Sequence, residues 1–144
     1  MRTILCTFFT LLSLSVLAEP ILPLTKQEKE LVIKEAANIP DSVDQKFEGL
    51  FNAWKMNWQT NPIARVSSTT AVTRELDEYQ KLMDFGPMII PLILKKMMAD
   101  VDGNFIGLIL YDDLQKNPKL KIQGLMSEQD RVVLTIRRWV NSIK

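Results

Sequence analysis

The residues of this chain best suited to chemistry are carboxylates, and the best candidate pair is Asp112-Asp113. Adjacent residues on a helix point about 100° apart, so these two side chains do not converge as a general acid and a general base. Negative charge near a helix C-terminus is also unfavourable because of the helix dipole. We therefore predict a surface pair whose charge is offset by Lys116, Lys119 and Lys121.

The segment Asp100–Asn104 (DVDGN) has the beginning of a calcium-binding loop. In an EF-hand loop that starts at Asp100, Asp102 and Asn104 fall on ligand positions, the sixth residue is Gly and the twelfth is Glu. Here the sixth residue is Phe105 and the twelfth is Tyr111. We predict a turn between helices and no metal site.

Nucleophilic catalysis has little support, because the chain has no His and its one Cys is Cys6. Ser67 and Ser68 have neither an imidazole nor a lysine at Ser-x-x-Lys spacing to activate them, and we interpret them as helix caps. No phosphate-binding glycine loop or dinucleotide motif is present. We predict no catalytic residue, no cofactor and no metal ligand.

The first 18 residues have the pattern of an export signal. A single cation, Arg2, precedes the apolar run Ile4–Leu17, and Val16 and Ala18 form a small-residue cleavage pattern. We predict cleavage after Ala18 and a periplasmic or extracellular location; an uncleaved membrane anchor is the alternative. Residues 19–24 are then an extended leader, and residues 25–144 form a single domain.

Removal of this signal leaves 17 basic and 17 acidic residues and no Cys. A neutral chain has no general attraction to nucleic acid, so we predict no nucleic-acid partner. Stability must come from packing rather than from disulfide bonds. Three local basic patches are predicted to be solvated helix ends, with phosphate or lipid-headgroup contact as the alternative: Lys95-Lys96, Lys116–Lys121 and Arg137-Arg138.

Hydrophobic residues recur at spacings of three, four and seven, and no alternating strand pattern of useful length occurs. The predicted helices are Lys26–Asn38 with a Thr25/Glu28 capping box, one from Pro40 to Thr60 capped by Asp41 or Ser42, Arg74–Phe85, Met88–Ala99 after Gly86-Pro87, Phe105–Leu114, and one from Ser127 to the C-terminus. Pro91 should kink the fourth helix or keep its first turn irregular. The fold class is all-α: about six helices packed as antiparallel hairpins around a central apolar helix, residues 88–99.

The predicted core consists of one apolar face from each helix. These faces are Leu31, Val32, Ala36 and Ala37; Val43, Phe47, Leu50, Phe51, Trp54 and Trp58; Leu76, Tyr79, Leu82 and Met83; Met88–Leu94; and Val132, Val133, Ile136, Trp139, Val140 and Ile143. On the second helix, we expect Asp44, Lys46, Glu48, Asn52 and Lys55 to lie opposite the aromatic stripe.

The segment Glu78–Met97 (EYQKLMDFGPMIIPLILKKM) resembles uncharacterised bacterial exported helical proteins. That group has a Tyr-x-x-Leu helix, a Gly-Pro and an Ile-Pro-Leu-Ile-Leu core segment, and the resemblance covers about residues 47–139. Paired helices with a proline in the second also resemble HEAT-type hairpins. The resemblance implies a helical fold and supplies no activity.

We predict a non-enzymatic interaction module with a protein or peptide partner, its oligomeric state left open. The first alternative is a carboxylate-only hydrolase acting on a glycan or other envelope substrate, with acids from the set Glu75, Asp77, Glu78, Asp112 and Asp113. The second is a membrane-surface protein in which Arg131, Arg137, Arg138 and Lys144 line one plane around an exposed Trp139.

Overall fold

The computed structural model describes residues 19–63 and 71–144, and most of these residues are helical. The α-helices that lie wholly within these ranges are α1 (Lys26–Ala37), α2 (Asp41–Thr60), α3 (Ala71–Arg74), α4 (Asp77–Asp84), α5 (Ile90–Ala99), α6 (Val101–Asn104), α7 (Gly107–Leu114) and α8 (Glu128–Ser142). Two 3-10 turns, Gly86–Ile89 and Pro118–Leu120, join them. The described residues contain no strand, and the predicted all-α class is confirmed. The predicted export signal, Cys6, Ser67 and Ser68 lie outside the described residues.

Side-chain caps fix the first and last helices, as the sequence predicts. At α1 the Thr25 hydroxyl accepts from the Glu28 backbone N–H, and the Glu28 carboxylate accepts from the Thr25 backbone N–H. At α8 the Ser127 hydroxyl accepts from the Asp130 N–H. The predicted cap of α2 is wrong, because the helix begins at Asp41 itself and the residue at its N-cap, Pro40, has no side chain that can accept a hydrogen bond.

The predicted helix Arg74–Phe85 begins three residues later, as α4 at Asp77, and Arg74 instead ends the separate helix α3. Glu75-Leu76 separate these two helices. Leu76 adopts an extended conformation, with φ −73° and ψ 140°, which ends the helical path. The Gln80 amide donates to the Arg74 carbonyl at 3.0 Å and so satisfies a group that the break leaves free. Both short helices lie against α7, where Arg74 of α3 and Tyr79 of α4 donate hydrogen bonds to the Asp113 carboxylate.

Three other predicted bounds shift at helix starts. The fourth predicted helix begins at Ile90 rather than Met88, because a 3-10 turn precedes it and Pro91 occupies its first turn. Gly86 has φ +69°, the left-handed conformation expected where α4 ends. The predicted turn at Asp100 is a short helix, α6, and α7 begins at Gly107 rather than Phe105.

Helix α5 lies at the centre of the molecule, as predicted. Its residues Ile90, Leu92, Ile93, Leu94 and Met97 are buried, and the helix packs against α1, α6, α7 and α8. Complete burial requires a helix that is apolar on nearly every side, which this sequence provides. One residue of the predicted core segment departs from this pattern: the Met88 side chain lies in the preceding 3-10 turn and is half exposed.

The aromatic stripe of α2 forms the second part of the core, also as predicted. Phe47, Phe51 and Trp54 are fully buried, and neighbouring ring centroids are 5.5 and 5.7 Å apart. The Trp54 ring continues to Tyr79 of α4 at 5.4 Å. Its indole N–H donates to the Thr73 carbonyl at 2.8 Å, which attaches α3 to α2.

Most residues of the predicted core faces are buried or partly buried, but two at helix ends are exposed. Val32, Ala36, Tyr79 and Leu82 are buried, as are the residues Val132, Ile136, Trp139 and Val140 of α8. Ala37 and Ile143 are exposed, because each lies at the last turn of its helix, beyond the neighbouring elements.

Candidate functional site

Asp112 and Asp113 are held in different ion pairs at the end of α7. The Arg74 guanidinium donates to both oxygens of Asp113, at 2.6 Å from Nε to Oδ2 and 3.1 Å from Nη2 to Oδ1, and the Tyr79 hydroxyl donates to Oδ2. Asp112 accepts instead from Arg131 of α8. The two carboxylates therefore have separate partners.

The environments of these neighbours shift their pKa values in opposite directions. Burial raises the pKa of Asp112 above its usual range, more than the charge of Arg131 lowers it. Burial also acts on Asp113, but the hydrogen bonds from Arg74 and Tyr79 outweigh it, and the pKa of Asp113 falls below its usual range. Burial and the bond to Asp113 raise the pKa of the Tyr79 hydroxyl.

This cluster connects helices rather than presenting an acid–base pair. Asp113 ties α7 to α3 and α4, and Asp112 ties α7 to α8. Asp112 keeps one buried oxygen, Oδ1, without a hydrogen-bond partner among the described residues. The prediction that three lysines compensate the charge of this pair is wrong, because arginines from distant segments bind both carboxylates. Of the three lysines, Lys121 acts on Asp112 through its charge, without a hydrogen bond.

The other acids of the hydrolase hypothesis do not gather around this pair. Glu75 and Asp77 are exposed, and the Glu78 carboxylate accepts a hydrogen bond from the Asn57 side chain at 2.9 Å.

The former calcium candidate, Asp100–Asn104, is a capped helical turn. The Asp100 side chain accepts from the Gly103 N–H at 2.9 Å. Asn104 is buried, donates to the Lys96 carbonyl at 2.8 Å and accepts from Lys55 Nζ at 2.8 Å. Within residues 19–63 and 71–144, no group of three or more His, Cys, Asp or Glu residues is placed to hold a metal ion.

Two of the three basic patches are internal contacts, so their interpretation as solvated helix ends is wrong. Lys95 pairs with Asp44 at 3.1 Å and Lys96 pairs with Glu48, which joins α5 to α2. Asp44, Glu48 and Lys55 are therefore half-buried beside the contacts of α2 with α5 and α6, whereas Lys46 and Asn52 are exposed.

Arg137 and Arg138 also bind within the molecule. Arg137 donates to Glu28 at 2.7 Å and to the carbonyls of Leu22 and Pro23, so it fastens the non-helical residues 19–24 to α8. Arg138 donates to the carbonyls of Lys119 and Lys121.

The proposed membrane plane around Trp139 is not formed. Trp139 is buried, Arg131 pairs with Asp112 and Arg137 pairs with Glu28. No helix in the described part of the chain combines the length and apolar character needed to cross a bilayer.

The surface that distinguishes this protein is the outer face of α2. Between residues 49 and 63, every exposed residue is uncharged: Gly49, Asn52, Met56, Asn57, Gln59, Thr60, Pro62 and Ile63. Within α2, Gly49, Asn52, Met56 and Gln59 are spaced by three, four and three residues, the spacing of one helix seam. We call these four residues the α2 seam.

The seam carries one exposed apolar side chain and one open position. Met56 is 64% exposed, and Ile63, which lies just beyond the end of α2, is 63% exposed. A Cβ at Gly49 would meet nothing within 4 Å, so nothing within the described part of the chain requires a glycine there. Glycine within a helix costs about 1 kcal/mol relative to alanine.

Sequence reasoning missed this seam because it followed the hydrophobic stripe and treated the opposite face as charged. The signal in the sequence was that the residues spaced by three and four from Gly49 along α2 carry no charge. Comparison of the chain with protein-family models, with curated proteins and with solved structures finds no match.

Proposed function

We propose that this protein is an exported, non-enzymatic interaction module that binds a protein or peptide partner through the α2 seam. The observation that carries the proposal is the uncharged exposed surface along the last three turns of α2. Depletion of charge is characteristic of the buried centre of protein interfaces, whereas an ordinary exposed helix face is charged.

The side chains of the seam fit a helical partner. Met56 supplies a flexible apolar contact, and Asn52 and Gln59 on either side of it supply hydrogen bonds. Gly49 allows a partner backbone to approach α2 closely. The expected ligand is therefore an amphipathic or uncharged helix that lies along α2.

Helix α1 provides the comparison within the same chain. Its exposed residues include Lys26, Lys29, Glu30 and Lys34, with Lys26 and Glu30 forming a solvent-exposed ion pair at 3.7 Å. Such a face is costly to cover because the charges must lose water. The difference between the two helices favours α2 as the binding surface.

A carboxylate-only hydrolase has less support from the same contacts. Such an enzyme needs two carboxyl groups facing one another across a substrate site. Asp113 is bound by Arg74 and Tyr79, and Asp112 is bound by Arg131. The proposed location outside the cytoplasm rests on the pattern of residues 1–18 and on the resemblance to exported bacterial proteins.

The test is affinity purification of the tagged protein from the envelope fraction of its own cell, with quantification of every co-purified protein. The α2 variant is Asn52→Lys with Met56→Lys. The matched control is Gln27→Lys with Ile33→Lys on α1, where an exposed amide and a 52% exposed apolar residue receive the same changes.

We expect one partner to be recovered with the natural protein and the α1 control and lost with the α2 variant. A buried lysine without a counter-charge costs enough to reduce binding by a factor of ten or more. Equal recovery with both double variants, or recovery of no partner after gentle extraction, would contradict the proposal.

A further inference from the structure

The connector between α7 and α8, residues 115–127, presents an apolar tip beside lysines. Leu125 is 108% exposed, more than in an extended reference peptide, and the adjacent Met126 is 36% exposed. The connector contains Lys116, Lys119 and Lys121 and no acidic residue. None of these lysines forms an ion pair with a carboxylate in the described part of the chain.

The base of this connector is firmly held, so the exposure of its tip does not result from a lack of anchoring. Four consecutive carbonyls, those of residues 119–122, accept hydrogen bonds from side chains of α7 and α8. The Ile122 side chain is buried. Gly124 then adopts φ +126°, a conformation that other residues rarely take, and the chain turns outward immediately before Leu125.

We propose that this tip docks on an anionic lipid surface, with Leu125 and Met126 entering the interface and Lys116 and Lys119 contacting lipid phosphates. A projecting apolar tip matches a planar bilayer, which receives it without a preformed groove. Two outward cations on the same segment match the charge of anionic headgroups. This inference goes beyond the proposed function and uses a different surface.

Charges around the connector are mixed. Glu128 and Asp130 lie in the first turn of α8, and Glu128 lies 3.8 Å from Arg131. Lys121 is half-buried and its charge acts on Asp112 and Asp113. Lys116 and Lys119 are exposed and are the cations available to a membrane.

The test is co-sedimentation of the exported form of the chain, its N-terminus established by mass spectrometry, with vesicles. The vesicles contain phosphatidylcholine alone or mixed with phosphatidylglycerol. The apolar variant is Leu125→Ser with Met126→Ser, and its control is Leu22→Ser, which alters a leucine that is 71% exposed elsewhere. The charge variant is Lys116→Gln with Lys119→Gln, and its control is Lys29→Gln with Lys34→Gln on α1.

We expect tighter binding to the anionic vesicles, a loss of about tenfold in the apolar variant and a loss of about fivefold for each lysine removed. Added salt should weaken the binding, and both controls should bind like the natural chain. The α2 variant Asn52→Lys with Met56→Lys should also retain vesicle binding, which separates this proposal from the preceding one.

Equal binding to both vesicle types, absence of binding, or equal losses in variants and controls would overturn the proposal. Connector variants that lose an acidic protein partner while keeping vesicle binding would assign the tip to a protein instead. Thermal melting of each variant verifies that a loss of binding does not reflect unfolding.

Discussion

Replacement of Asp113 with asparagine removes one negative charge from a group that joins three helices. The natural carboxylate accepts two hydrogen bonds from Arg74 and one from Tyr79. Asparagine has a similar shape but keeps a single oxygen, so one arm of the paired contact with Arg74 loses its acceptor.

The expected cost follows from this geometry. Hydrogen bonds to charged groups contribute about 1.5–3 kcal/mol each, and the exposure of the Arg74 and Asp113 side chains, 39% and 28%, reduces that contribution by solvent screening. We expect Asp113→Asn to lower the free energy of unfolding by about 1–2 kcal/mol at neutral pH. For a chain of this size that corresponds to a fall in Tm of about 4–8 °C.

The neighbouring substitution Asp112→Asn is the matched comparison. Burial raises the pKa of Asp112, so its charged form already reduces stability at neutral pH, and its Oδ1 has no partner among the described residues. We expect this change to cost less than Asp113→Asn at neutral pH, even though Arg131 loses its partner.

The two variants should also respond to acid in opposite ways. The pKa of Asp113 is lowered in the folded protein, so its contribution is present above about pH 3.9 and disappears as pH falls through the folded pKa. The cost of Asp113→Asn therefore shrinks in acid. The pKa of Asp112 is raised, so the natural protein gains stability as pH falls through that folded pKa, and the cost of Asp112→Asn grows.

Urea unfolding followed by tryptophan fluorescence across a pH series measures both effects, because Trp54 is buried in the native state. Equal costs at every pH, or the same direction of pH dependence for both variants, would refute the structural assignment of the pair.

Four further substitutions each test a single structural feature. Glu28→Gln removes the charge that Arg137 binds, and urea unfolding should show a free energy of unfolding about 2 kcal/mol lower at neutral pH. Because the bond to Arg137 lowers the pKa of Glu28, this difference is present above about pH 4.3 and disappears as pH falls through the lower pKa of the folded state. Gly86→Ala should lower the free energy of unfolding by about 1 kcal/mol because φ is +69°. Gly49→Ala should raise it by about 1 kcal/mol and weaken partner binding. Thermal melts should show a lower Tm for the first variant and a higher Tm for the second, and shifts in the same direction would contradict this. Trp54→Phe removes a buried indole N–H donor and should lower stability by about 1–2 kcal/mol in the same urea assay, and an unchanged midpoint would show that the bond is dispensable.

The central helix and the aromatic stripe could be predicted because they depend on local periodicity. The run from Ile90 to Leu94 is apolar on every side, and Phe47, Phe51 and Trp54 recur on one face of α2. The caps Thr25 and Ser127 could also be predicted, because a cap acts within three residues of itself.

The ion pairs could not be predicted, because they join residues far apart in sequence. Arg74 binds a carboxylate 39 positions away, and Arg137 binds Glu28 across 109 positions. The composition shows only that basic and acidic residues are equal in number. It does not show that arginines from other segments bind Asp112 and Asp113.

The α2 seam was overlooked for a different physical reason. Hydrophobic patterning identifies the helix face that is buried inside the protein. A binding face on the opposite side is recognised only by its lack of charged residues. The exposed positions Asn52 and Met56 became informative once the buried side of the helix was known.

The most direct measurement of the central claim is photo-crosslinking in the producing cell, with a photoreactive residue placed at Asn52 and, as the control, at Lys29. Both positions are exposed on helices, and they differ in the charge of their surroundings. We predict that a discrete crosslinked species containing a second protein or peptide forms from position 52 and is absent from position 29. Crosslinking at both positions alike, or at position 29 alone, would contradict the claim that the uncharged outer face of α2 is the binding surface.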